Sequence, residues 1–278
     1  MSRTASGAAF CRFVEQSQPE GSRMFADPVV GVLLDPVLVA LASSEPAQQM
    51  VLSGMPPGTY GGQVMRTRYI DDVITAWVGD GIDQVVILGA GLDTRAYRLR
   101  SLAAATVFEV DLPDLQRFKQ ARLTDRPTTA RQVRYLPLDF TAGSLDEALP
   151  SAGFDGVRPT LFVWEGVTQY LSEAAARSTL ASVGRSAPGS GLVFTYVLPS
   201  RTGRNAYWGW SDALRQQLGS AEPWLFGVDP VELPGLLGAF GLALVQDVGA
   251  ADYQTRYLEP IGRRLEVDEG ERVAVAVV

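Results

Sequence analysis

The chain has 278 residues, of which 46% are apolar and 20% charged, enough to build the core of one large domain or two small ones. Its net charge of −7 argues against a nucleic-acid partner, which would require a basic face; the best candidate for a local basic patch, Arg95, Arg98 and Arg100, is short. The single cysteine, Cys11, rules out an intrachain disulfide, and the absence of histidine removes the commonest general base, histidine-activated nucleophiles and most zinc sites.

The N-terminal "MSRTASGAAF" lacks an apolar signal core, and no segment approaches the roughly 18 apolar residues of a membrane span. A soluble, cytoplasmic protein is expected, without membrane or metal; its oligomeric state is open. Residues 1–80 read as a helical cap packed on a core domain at 81–278. "GAAFCRFVEQ" and "PVVGVLLDPVLVALA" have helical periodicity, "SGMPPGTYGG" is a loop, and "QVMRTRYIDDVITAWVGDG" is a long amphipathic helix ending at Gly79. Cys11 sits among Phe10, Phe13 and Val14 and reads as an inert core residue.

From residue 84 the pattern becomes alternation. Short strands at "QVVILG", "ATVFEVD", "VRYLPLD", "TLFVWEG" and "GLVFTYVL" alternate with helical "TRAYRLRSL", "PDLQRFKQARL", "SLDEALP" and "SEAAARSTLASVG". Uncharged strands alternating with helices predict a parallel sheet covered on both faces. Two late strands, "LALVQDVG" and "RVAVAVV", complete a seven-stranded, doubly wound α/β sheet whose last strand inserts antiparallel. Residues 199–230 interrupt the alternation and carry three of the five tryptophans. They are expected to form a lid above the carboxyl ends of the strands.

"ILGAGLDT" places Gly89, Ala90 and Gly91 between a strand and a helix, with Asp93 in the turn. Glycines let a ligand approach the backbone, but the third glycine of a dinucleotide fingerprint is replaced by Thr94. A carboxylate here would repel a pyrophosphate and suits the cationic S-adenosylmethionine; Asp93 also reads as a plain helix cap. The next strand ends at Asp111, 22 residues after Gly89, where an acid accepts ribose hydroxyls; Glu109 is assigned to the opposite face. Asp139 could accept from an adenine amino group while Phe140 packs on the ring, and Glu165 and Tyr170 lie at the rim after the fourth strand.

"QVVILGAGLDTRAYRL", "FEVDLPDLQRFKQARL", "YLPLDF" and "FVWEGVTQYL" together resemble the leucine carboxyl methyltransferase-like family, in particular its bacterial S-adenosylmethionine-dependent O-methyltransferase branch. "TASGAAFCRFVE", "MFADPVVGVLL" and "RTRYIDDVI" are similar as well, so the resemblance covers most of residues 4–198. It implies a class I methyltransferase fold with strand order 3-2-1-4-5-7-6. It also implies that Arg68 pairs the methionine carboxylate, that Gly89, Ala90, Gly91 and Asp93 hold the amino-acid part, and that Glu165 lies near its ammonium. Asp111 with Leu112 takes the ribose, and Asp139 with Phe140 the adenine. Arg68 has a plainer reading, since Arg66 and Arg68 share a helix with Asp71 and Asp72 at pairing distance.

Without histidine, a carboxylic acid or an acidic phenol or enol is the easiest acceptor, because it needs little help from a base. Tyr170 is the candidate catalytic residue, with a core aromatic as the alternative. Tyr207, Trp208 and Trp210, together with Trp224 and Phe226, offer flat walls for an aromatic or polyketide-like small molecule, or else close the core over the sheet. A protein carboxyl terminus as acceptor, a nicotinamide-dependent oxidoreductase and a non-catalytic cofactor-binding protein remain the alternatives.

Overall fold

Five consecutive residues of the first strand, Gln84–Leu88 (β1), are buried, although only the first is polar. The computed structural model, which describes residues 3–140, 143–202 and 223–278, gives the reason: β1 lies inside a seven-stranded sheet covered on both faces. The other strands are Thr106–Asp111 (β2), Gln132–Pro137 (β3), Leu161–Trp164 (β4), Gly191–Val197 (β5), Ala243–Val248 (β6) and Glu271–Val277 (β7). Their order is β3-β2-β1-β4-β5-β7-β6. All neighbours are parallel except β7, which runs antiparallel to both β5 and β6. This is the sheet the sequence predicts, including the late antiparallel strand.

Side chains alternate between the faces with the period of two that a strand imposes. Val85, Ile87, Val107, Val163 and Val193 join one core cluster, and Val86, Leu88, Phe108, Phe162 and Phe194 the other. The first cluster is covered by Arg3–Gln16 (α1), Val30–Leu33 (α2) and Thr59–Gly79 (α5); Pro36–Ala42 (α3) and Glu45–Ser53 (α4) stack outside them. Helix α5 packs directly on β4, β5 and β7, so residues 1–80 share the sheet's own core. Trp77 of α5 lies over Gly191, where a Cβ would stand 2.0 Å from the indole. Any larger residue at that point of β5 would lift the helix.

Among the described residues, the remaining α-helices are Arg95–Arg98 (α6), Pro113–Leu123 (α7), Leu145–Ser151 (α8), Glu173–Gly184 (α9), Leu233–Gly238 (α10) and Ala250–Tyr253 (α11). Three stretches differ from expectation, the first being the loop expected at 53–62, whose last four residues already belong to helix α5 from Thr59. Residues 28–42 form two short helices, because Leu34 is extended and Asp35 restarts the chain by accepting from Val37 N at 2.8 Å ahead of Pro36. The helix expected at 94–102 is only four residues long and gives way to a 3₁₀ turn at Arg100–Ala104. Tyr207, Trp208 and Trp210, expected in a lid as acceptor-binding residues, lie outside the described residues.

After β3 the chain returns to place β4 beside β1, so the strand order reverses between them. Ligands in open α/β sheets bind beyond the carboxyl ends of the strands at such a point.

Candidate active site

A cavity of about 840 Å³ opens at the carboxyl ends of the strands. Gly89 and Gly91 turn the chain there with φ of +67° and +45°. Gly89 N and Ala90 N donate to Val110 O at 2.8 and 3.0 Å, which ties the turn to β2. A Cβ on Gly89 would stand 2.4 Å from Val167 Cγ2, so only glycine fits both the φ and the space.

Asp111, the last residue of β2, lines the cavity. Its Oδ2 accepts from Gly91 N at 2.5 Å and its Oδ1 from Leu112 N at 2.6 Å. Burial raises its pKa, and these two amides offset only part of that rise. Leu112, the exposed Asp139 and the half-buried Phe140 line the same end. Glu109 shares Asp111's face, two residues away, which corrects the opposite-face assignment: a strand repeats every two residues. It does not line the cavity; its Oε2 accepts from the buried Lys119 Nζ of α7 at 2.5 Å, and burial pushes its pKa up to about 7.

Asp93 lines the cavity but is already engaged. Its Oδ1 accepts from Arg95 N at 2.6 Å, and its Oδ2 pairs with Arg95 Nη1 at 2.5 Å. Burial would raise its pKa, yet the cation Arg95 beside it overcomes this and holds it at about 2. One oxygen thus takes a backbone N–H at the start of α6, while the carboxylate still lines the cavity. Because Arg95 neutralises it, its repulsion of a pyrophosphate cannot carry the choice of cofactor.

Arg95 is also the centre of a buried ion network. Its Nε pairs with Asp71 at 2.7 Å and its Nη1 with Glu165 Oε2 at 2.7 Å. Arg98 pairs with Asp71 at 2.6 Å, and Arg12 reaches Asp27 at 3.2 Å. Arg95 and Arg98 thus belong to the interior, which corrects their reading as part of a basic surface patch. Glu165, just past β4, joins the network to Arg66, whose Nε lies 2.9 Å from Oε1. Burial opposes the charge on Glu165, but Arg95 and Arg66 hold its pKa below the usual carboxylate range.

Arg66 lines the cavity and Arg68 does not, a correction to the sequence reading. Arg68 Nε pairs with Asp72 at 3.0 Å, one helical turn on; its Nη1 donates to Met24 O at 2.8 Å and its guanidinium lies over Tyr257. Two residues on a helix are separated by about 200°, so the two arginines face opposite ways. Sequence reading also passed over Arg12 and Glu271. No local motif marks them, because Glu271 meets Arg66 across 205 residues of chain.

The same cavity has apolar walls. Phe10 of α1, Leu38 of α3, Val51 of α4 and Met55 just past it line it, and so do Tyr170 and Trp224, which face each other edge to face at 6.4 Å. Cys11 lines the cavity as well, with burial pushing its thiol up to about 12. Phe226 packs on the sheet core instead.

A sheet of this order with one antiparallel strand and a glycine turn after β1 is the class I methyltransferase fold. The crystal structure of an inferred methyltransferase from Thermobifida fusca superposes with a TM-score of 0.57 at 19% identity, covering 89% of this chain and 91% of that one. A DUF574 family protein from Streptomyces avermitilis superposes with a TM-score of 0.58 at 13% identity, covering 99% and 97%. At these identities the likeness concerns the fold alone.

The chain belongs to the leucine carboxyl methyltransferase family, whose sequence profile matches residues 5–184. A protein from Frankia alni, whose name gives S-adenosyl-L-methionine-dependent methyl transfer as an inferred activity, is 39% identical over 195 residues, 69% of this chain and 68% of its own length. A Mycolicibacterium smegmatis protein with the same inferred activity is 37% identical over 70% of this chain and 66% of its own length.

Proposed function

We propose that the chain is an S-adenosyl-L-methionine-dependent O-methyltransferase acting on a small-molecule acceptor. The acceptor group is a carboxylate or an acidic phenol or enol on an aromatic or polyketide-like body. The observation that carries this reading is that one cavity is lined both by Gly89 and Asp111 and by the apolar Phe10, Leu38, Val51 and Met55.

The residues present fit the cofactor. Gly89 and Gly91 leave backbone room, and Asp111 stands at the end of β2 as an acceptor for ribose hydroxyls. Asp139 and Phe140 would take the adenine, Arg66 in place of Arg68 the carboxylate, and Glu165 the ammonium. When bound, S-adenosyl-L-methionine supplies an electrophilic methyl group on a sulfonium.

The chain's own work is alignment and exclusion of water. Catalysis of an in-line displacement needs the acceptor held roughly 3–3.5 Å from its target in a closed site. Phe10, Leu38, Val51 and Met55 would hold the acceptor's body, with Tyr170 and Trp224 lining the same cavity. A carboxylate is already ionised at neutral pH and needs no base. A phenol, with a pKa of about 10, gains from one, and Tyr170 is the residue best placed to orient it or relay its proton.

Calorimetry with S-adenosylhomocysteine and with NAD tests the cofactor half. The reading expects binding of the first alone; binding of NAD alone would replace it with the oxidoreductase alternative.

A further inference from the structure

Arg66 offers no idle edge. A guanidinium presents two edges that can grip a carboxylate with a parallel pair of N–H groups, Nε with Nη2 and Nη1 with Nη2. Glu165 takes Nε of the first at 2.9 Å, and both oxygens of Glu271 take Nη1 of the second at 2.7 and 2.8 Å. All three side chains are at least five-sixths buried.

The two acids are not held alike. Glu165 is anchored at both oxygens, one on Arg66 and the other on Arg95, whose side chain is 1% exposed. Glu271 sits at the first position of β7, and the side chain that meets its carboxylate is Arg66. An incoming carboxylate can therefore gain a full edge of Arg66 most readily by displacing Glu271.

We propose that Glu271 is an internal stand-in for a ligand carboxylate. It occupies Arg66 until the amino-acid part of the cofactor arrives, and so weakens the hold on both cofactor and spent product. This rests on the reading that Arg66 meets the cofactor carboxylate. Glu271 acts through Arg66, as a positioning residue. A competitor of this kind divides the intrinsic affinity by the fraction of molecules in which the site stands open, and a modest penalty on a product that must leave favours turnover.

The test compares S-adenosylhomocysteine, which carries the carboxylate, with 5′-methylthioadenosine, which lacks the whole amino-acid part. Dissociation constants are measured by calorimetry for wild type, Glu271→Gln and Glu271→Ala, with thermal unfolding to confirm that each variant is folded. Both variants are expected to bind S-adenosylhomocysteine roughly 3- to 10-fold more tightly, with methylthioadenosine unchanged within about twofold. Unchanged or weaker binding of S-adenosylhomocysteine, or an equal shift for both compounds, overturns the stand-in. A wild type that binds neither compound overturns the cofactor site itself, and the stand-in with it.

Discussion

Arg66 and Glu165 are separated by 99 residues and meet at 2.9 Å, joining helix α5 to the end of β4 at the floor of the cavity. Arg66 should therefore matter to the cofactor and Arg68 should not. Arg66→Lys keeps the charge but loses the planar fork, so cofactor affinity should fall by about 1.5–3 kcal/mol, tenfold or more. Arg68→Ala removes a partly exposed ion pair, a hydrogen bond to Met24 O and a contact with the Tyr257 ring; it should leave affinity unchanged, with about 1–2 kcal/mol lost in stability. Calorimetry of both variants distinguishes them, and the reverse pattern would restore Arg68.

Asp111→Ala should weaken the cofactor by about 1.5–3 kcal/mol through the lost ribose contact. The same variant frees Gly91 N and Leu112 N, so the turn loosens even without ligand. Asp111→Asn keeps an oxygen for one of those amides and should fall between wild type and alanine. Equal affinity in all three would place the ribose elsewhere.

Gly89→Ala combines a left-handed φ with a contact of 2.4 Å to Val167 Cγ2. It should destabilise the fold by about 1–3 kcal/mol. Gly89→Ala in a Val167→Ala background removes the clash and keeps the backbone strain, so about half of the loss should return. Full recovery in denaturant unfolding would show that φ costs nothing here.

Asp93 gives a pH prediction. Its folded pKa of about 2 lies below its ordinary 3.8. The unfolded chain therefore binds its proton first as pH falls. The stability from this group is complete above about pH 4 and is lost as pH drops through 2, about 2 kcal/mol in all. Urea unfolding between pH 2 and 5 should show Asp93→Asn with a flatter profile than wild type. Parallel profiles would mean that the Arg95 pair does not hold the proton off.

The sheet was legible because its signals are local. The runs QVVIL, LFVW and GLVFTYV have no charges to place, and the helices between them begin at Pro113 or at Ser172, whose hydroxyl accepts from Ala175 N. The glycine turn and Asp111 were legible for the same reason, since a strand end fixes where its last residue points. What sequence reading missed is nonlocal. Arg66 and Arg68 are equal candidates until the helix phase is known. The partners of Arg66 lie 99 and 205 residues away. Asp93 looks available in sequence, and only the fold shows that Arg95 holds it. Which residues of the N-terminal helices reach the cavity, Phe10, Leu38 and Val51 among them, is likewise set by the fold.

The apolar wall of the cavity should set the acceptor and leave the cofactor alone. Trp224→Ala and Met55→Ala should raise the acceptor's KM or lower kcat, with S-adenosylhomocysteine affinity within about twofold of wild type, because these apolar side chains are assigned to the acceptor's body and the cofactor's polar groups to Gly89, Asp111 and Arg66. A tenfold loss of S-adenosylhomocysteine affinity in a folded Met55→Ala would mean that this wall also meets the cofactor.

The central claim, methyl transfer to oxygen of a small molecule, is tested most directly by incubating the protein with methyl-labelled S-adenosyl-L-methionine and a small-molecule extract, followed by mass spectrometry of the labelled product. The account predicts a label bound to oxygen, as an ester or an aryl or enol ether, and its loss in Arg66→Lys. A label on nitrogen, carbon or protein alone, or no transfer by a protein that binds the cofactor, would contradict it.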